Sequence, residues 1–156
     1  MQRAFASARV EETEALAAAV AAQLVAGDTV WLRGELGAAK TAFVRGAARA
    51  LGVTGPVTSP TYTVGNRYQG GAVPISHLDL YRSGGLSAEE WADIEPYFDN
   101  AIVFVEWPDA GAVVLPRPRV TADIAIGQGD ARLITLVCDD PGVFDALAAA
   151  LPRYGD

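Results

Sequence analysis

Val30 to Thr41 reads V-W-L-R-G-E-L-G-A-A-K-T: a short apolar run, a glycine- and alanine-rich loop, and the opening of a helical pattern. Asp28 to Arg33 has the composition of a buried strand, and after the loop Phe43, Ala47 and Leu51 recur at helical spacing until Gly52. Gly34, Lys40 and Thr41 fit the phosphate-loop spacing G-x-x-x-x-G-K-[ST], and the flanking strand and helix stand where that motif needs them. Such a loop turns its backbone N–H groups inward around a phosphate, and the following helix adds the positive end of its dipole. The lysine brings a compact charge to the outer phosphates and the threonine hydroxyl is a ligand for Mg²⁺. Ala39 departs from the motif, standing where the second glycine belongs. If that position requires φ > 0 or close approach to phosphate, its Cβ costs on the order of 1 kcal/mol or more.

The rest of the chain supports an α/β reading. Arg3 to Ala8 is a short edge strand. Glu11 to Ala26 is an amphipathic helix with Leu16, Val20 and Leu24 on one face, acids in its first turn, and Gly27 closing it. Tyr62 to Gln69 and Ala72 to Tyr81 read as two strands around Gly70-Gly71. Ser87 to Glu90 is a capping box opening a short helix through Trp91 and Ile94. Ala101 to Val105 is a strand covered on both faces, Val120 to Ile126 and Arg132 to Val137 form a late strand pair, and Val143 to Leu151 is a closing helix stopped by Pro152. Strands alternating with helices and then clustering predict one three-layer α/β domain over residues 1–156.

Composition narrows the function. Twelve basic residues against 19 acidic ones give a net charge of −7, a surface sign that opposes tight binding to a nucleic-acid backbone. Lys40 is the only lysine. A single cysteine, Cys138, builds neither a disulfide framework nor a thiolate metal cage, and its apolar surroundings predict burial. No apolar run is long enough for a membrane span, and Arg9, Glu11 and Glu12 interrupt any signal core, so the expected location is cytoplasmic.

A phosphate loop needs an acid for its metal at the end of a neighbouring strand. Ile102-Val-Phe-Val-Glu106 and Ile75-Ser-His-Leu-Asp79 both end in one, where open α/β sheets place ligands. His77, the only histidine, reads as a satisfied core or strand-face residue rather than a base. Trp107 is a candidate cover for the site or for a partner surface, and Thr58-Ser-Pro-Thr-Tyr62 is a candidate switch loop. Arg45 and Arg82 read as solvated arginines or charge stabilisers.

The order G-E-L-G-A-A-K-T-A-F-V-R-G, S-P-T-Y-T, H-L-D-L-Y-R, V-E-W-P resembles the bacterial TsaE (YjeE) family across nearly the whole chain. The segments Ala88 to Ile94 and Tyr97 to Asp99 resemble that family's acidic helix and its aromatic end. The resemblance implies a P-loop NTPase-like domain with a mixed central sheet flanked by helices. It also implies a small ATPase acting in the synthesis of N6-threonylcarbamoyladenosine in tRNA. Gly34, Glu35, Leu36, Gly37, Ala38, Ala39, Lys40 and Thr41 would cradle the phosphates of ATP or ADP, and Thr41 and Glu106 would hold Mg²⁺. Asp79 would act on the attacking water, directly or through a metal-bound water, so Lys40, Asp79 and Glu106 form the implied catalytic set. Ser59 and Thr61 would belong to the switch loop, Thr13 would lie near the adenine, and Trp107 would line the site.

The implied partners are sugar-kinase-like proteins of the TsaD and TsaB types, reset by hydrolysis after tRNA modification and holding the tRNA themselves. Hydrolysis is expected to be weak alone and stimulated by them. One alternative is a non-hydrolysing nucleotide-dependent binding module of the same complex, in which Ala39 has weakened catalysis. Another is a small-molecule kinase, against which the chain shows no arginine-rich insert.

Overall fold

The computed structural model describes residues 1–35, 38–60, 65–69, 71–81, 86–112 and 114–151. Among them one sheet contains β1 (Gln2–Ser7), β2 (Thr29–Gly34), β3 (Gly65–Tyr68), β4 (Ile75–Asp79), β5 (Ile102–Glu106), β6 (Val120–Ile126) and β7 (Arg132–Val137). Its order is β1-β7-β6-β2-β5-β4-β3. The four central strands β6, β2, β5 and β4 run parallel, while β7, β1 and β3 are antiparallel additions at the sides. The sheet is therefore mixed, with its parallel part in the middle.

Side-chain alternation along these strands builds two cores. On one face Val30 and Leu32 of β2, Ile75 of β4 and Ile102 and Phe104 of β5 pack with α1 (Val10–Ala21), α2 (Ala38–Ala50) and α4 (Pro141–Ala150). On the other face Leu78, Val103 and Val105 meet Ile94 of α3 (Ala88–Ile94) and the partly buried Trp91, Tyr97 and Phe98. Every residue of β5 is buried, which explains its uninterrupted apolar run. The helix layers are unequal: three longer helices on one side, one short helix and its 3₁₀ extension Glu95–Phe98 on the other.

Several boundaries differ from the sequence reading. The first helix ends at Ala21 rather than Ala26, because Gln23 and Leu24 donate to Val20 and Ala21 in a tightened last turn. The side chain of Asp28 then accepts from the Val25 N–H, turning the chain into β2. α2 begins inside the loop pattern, so Ala39, Lys40 and Thr41 are already helical. β4 is shorter than predicted, and β3 ends at Tyr68, which pairs with Ile75; residues 62–64 of the predicted strand lie outside the described residues. α4 starts at Pro141, capped by the Asp140 carboxylate on the Gly142 N–H at 2.9 Å. The capping box at Ser87 is present in both directions, and Cys138 is buried. Pro152, expected to stop the last helix, lies outside the described residues.

Candidate active site

Parallel pairing sets the carboxyl ends of β4, β5 and β2 side by side. Asp79 is the register partner of Glu106, and Glu106 that of Leu32, two residues before Gly34. The odd-numbered residues of β4 and the even-numbered residues of β5 share the face covered by α1 and α2, so His77 and Glu106 face the same helices as Ile75 and Phe104.

Gly34 ends β2 at φ +144°, and a Cβ there would run into the carbonyl oxygen of Ile124 on the adjacent strand. Only glycine satisfies both demands. The chain then returns as α2, carrying Lys40 back over the strand ends. Lys40 Nζ lies 3.2 Å from the Gly34 carbonyl oxygen, 3.7 Å from Glu106 Oε1 and 4.0 Å from the centroid of the Trp107 ring. The residue is 1% exposed. Burial pushes its amine below the ordinary lysine range, and the charges of Glu106 and Asp79 offset part of that.

Glu106 is buried as well, and both its oxygens are engaged. Oε1 faces Lys40 and Oε2 lies 2.5 Å from His77 Nε2. Asp79 sits at the rim, accepting the Tyr81 N–H at 2.9 Å. Burial pushes its carboxyl above the ordinary range. The Tyr81 N–H and Lys40 pull it down, while the charge of Glu106 adds to the rise. Trp107 follows Glu106 in left-handed backbone, φ 56°, although a proline comes next. For a bulky residue this costs about 1–2 kcal/mol, and it lays the indole between Lys40 and the Tyr81 ring, 5.0 Å away.

Ala39 needs no special backbone. It is helical, it is not among the residues at positive φ, and its methyl group is buried in the core beneath α2. The backbone-strain penalty considered for a Cβ here does not arise.

Gly34, Lys40, Glu106 and Trp107 are thus drawn together, with Asp79 beside Glu106. Thr41 follows Lys40 on α2, and Glu35 is exposed just beyond Gly34. Thr13 lies in the first part of α1, its buried hydroxyl 2.7 Å from that of Ser7, joining β1 to the helix. Ser59 is half-buried beside Thr58, whose carbonyl accepts from Asn66 and Tyr68 of β3. Arg45 pairs with Glu14 of α1 at 3.3 Å. Leu36, Gly37, Thr61 and Arg82, and the side chain of Ala38, lie outside what is described. His77, expected as a satisfied core or strand-face residue, is fully buried and hydrogen-bonded, as that reading has it. The sequence reading did not name its partner, Glu106; the available signal was its spacing from Asp79, since residues two apart on a strand share a face.

Magnesium takes hard oxygen donors and keeps several waters, so one or two carboxylates with phosphate oxygens hold it. The hydroxyl of Thr41 and the carboxylates of Glu106 and Asp79 are donors of that kind. Among the described residues no group of three His, Cys, Asp or Glu side chains forms a cage.

A family model described as "Threonylcarbamoyl adenosine biosynthesis protein TsaE" matches residues 7–134. The tRNA threonylcarbamoyladenosine biosynthesis protein TsaE of Bacillus subtilis is 38% identical over 125 residues, covering 80% of this chain and 78% of that protein. The protein of the same name from Streptomyces coelicolor is 40% identical over 110 residues, covering 69% and 74%. The crystal structure of Bacillus subtilis YdiB superimposes with a TM-score of 0.73 at 30% identity, over 100% of this chain and 97% of that one.

Proposed function

Since the chain belongs to the TsaE family and so to the biosynthesis of threonylcarbamoyladenosine in tRNA, we propose that it binds and hydrolyses ATP to sustain repeated rounds of that modification. The observation that carries this reading is the position of Lys40. A buried ammonium rests against Glu106 and the Gly34 carbonyl, at the joined ends of parallel strands and the start of α2. No stability argument calls for a lysine with its charge disfavoured in that place, whereas phosphate binding does.

In this reading the Gly34–Thr41 backbone and the N-terminus of α2 surround the phosphates of ATP, and Lys40 moves from Glu106 to the β- and γ-oxygens. Thr41 and Glu106 are the residues that would hold Mg²⁺, which when bound with nucleotide supplies neutralisation of the phosphate charge. Asp79 orients the attacking water, and Trp107 closes the site over Lys40. Ser59 and Thr61 belong to a segment that responds to the γ-phosphate, and Thr13 contributes on the adenine side. Charge stabilisation from the protein alone is incomplete, so TsaD-like and TsaB-like partners are expected to raise the rate. With a net charge of −7, the chain meets tRNA through those partners and acts in the cytoplasm. Among the described residues no helix is long and apolar enough to cross a membrane.

The test is phosphate release and multi-turnover modification with purified partners and tRNA. Wild-type protein should support both, and Lys40→Ala neither. Full multi-turnover modification with Lys40→Ala would overturn the reading. Nucleotide-dependent partner binding without phosphate release by the wild type would instead favour a binding module.

A further inference from the structure

We propose that His77 is a positioning residue for Glu106: its Nε2 pins one carboxylate oxygen, leaving the other as the single oxygen presented to the nucleotide site. The inference rests on the ATPase reading above and deepens it.

His77 is fully buried in β4, flanked on its face by the apolar Ile75 and Phe104 on one side and by the Glu106 carboxylate on the other. An imidazole in such surroundings is unfavourable unless it is hydrogen-bonded. Its one side-chain partner among the described residues is Glu106 Oε2 at 2.5 Å, and its Nδ1 has none. The ring is therefore not held by a surrounding polar network. Its polar contact is directed at one carboxylate.

A glutamate carboxylate turns freely about its last torsion, and its two oxygens are equivalent until something distinguishes them. Here His77 takes Oε2 and Lys40 faces Oε1. When Lys40 leaves for a phosphate, Oε1 is released while Oε2 stays on His77. Glu106 is then already oriented to bind through one oxygen. Partners of this kind, behind a metal-binding side chain, change metal affinity or activity by about 10- to 100-fold.

The test compares His77→Gln, whose amide N–H reaches the same oxygen, with His77→Leu, which fills the volume without a donor. ADP affinity is read by tryptophan fluorescence with and without Mg²⁺, alongside partner-stimulated phosphate release. His77→Leu is expected to keep metal-free ADP binding within about threefold, but to lose about 10- to 100-fold in the Mg²⁺-dependent gain and in kcat. His77→Gln should recover most of both. A merely structural histidine would lower thermal stability in both variants without this split. Unchanged Mg²⁺ dependence and kcat in His77→Leu would overturn the proposal.

Because His77 is the only histidine, an imidazole-selective nitrogen NMR spectrum of the nucleotide-free protein isolates this contact. One exchange-protected Nε2–H that moves in Glu106→Gln is the expected result, and a rapidly exchanging ring would also overturn the proposal. A protected Nε2–H in a wild-type protein that binds no nucleotide would instead sink the ATPase reading and leave the hydrogen bond standing.

Discussion

Lys40 and Glu106 face each other at 3.7 Å with their side chains 1% and 4% exposed, yet burial still outweighs attraction at the lysine, whose amine is pushed below its ordinary range. The charged form is thus held at a net loss in stability, a condition common where groups are arranged for binding rather than for folding.

The first prediction follows from that loss. Lys40→Met should raise the melting temperature of the nucleotide-free protein at pH 7 while lowering nucleotide affinity at least about 100-fold. Between the lowered folded value and the ordinary one near pH 10, the unfolded chain binds the extra proton. Wild-type stability therefore rises with pH across that window, and the advantage of Lys40→Met shrinks there. Glu106→Gln should destabilise, and a double-mutant cycle by denaturant unfolding should give a coupling of about 1–3 kcal/mol.

At Asp79 the sign is reversed. Its folded carboxyl titrates above the ordinary range, so between the two values the folded protein holds a proton that the unfolded chain has released. Stability then falls as pH rises through that window. Asp79→Asn, which keeps an oxygen for the Tyr81 N–H, should melt higher than wild type at pH 7. That advantage should vanish as the pH falls toward about 4, measured as melting temperature against pH.

Ala39→Gly separates the helix from the loop. The position is helical and its methyl is buried, so the change should destabilise by about 1–2 kcal/mol in denaturant unfolding. ADP affinity read by tryptophan fluorescence should stay within about threefold. A gain of tenfold or more would identify the methyl as an obstacle to phosphate.

Gly34→Ala combines φ +144° with a backbone collision at Ile124. Strain and overlap together should destabilise by about 3 kcal/mol or more. Circular dichroism melts should show it directly, in the absence of any nucleotide.

Where periodicity was strong, the chain was readable. The pattern of β5 announced a strand buried on both faces, and Ser87 with Glu90 announced the start of α3. The end of α1 was not readable, because Ala22 to Ala26 keep helical composition and the stop comes from the Asp28 side chain and a tightened turn. The start of α2 was hidden in the same way, since the motif gives loop and helix as one string. Asp79 and Glu106 were legible as strand-end acids, but their adjacency depends on the parallel register of β4 and β5. His77 was legible as a satisfied strand residue, but one polar residue in an apolar strand carries no mark of what it faces. Its partner is contributed by another strand.

The lone lysine has a further consequence for chemical labelling. Among the side chains, an amine-directed reagent meets a single target, the ε-amine of Lys40. That amine is buried beneath Trp107. Lys40 is reachable only when that cover lifts, so its acylation reports the opening of the site.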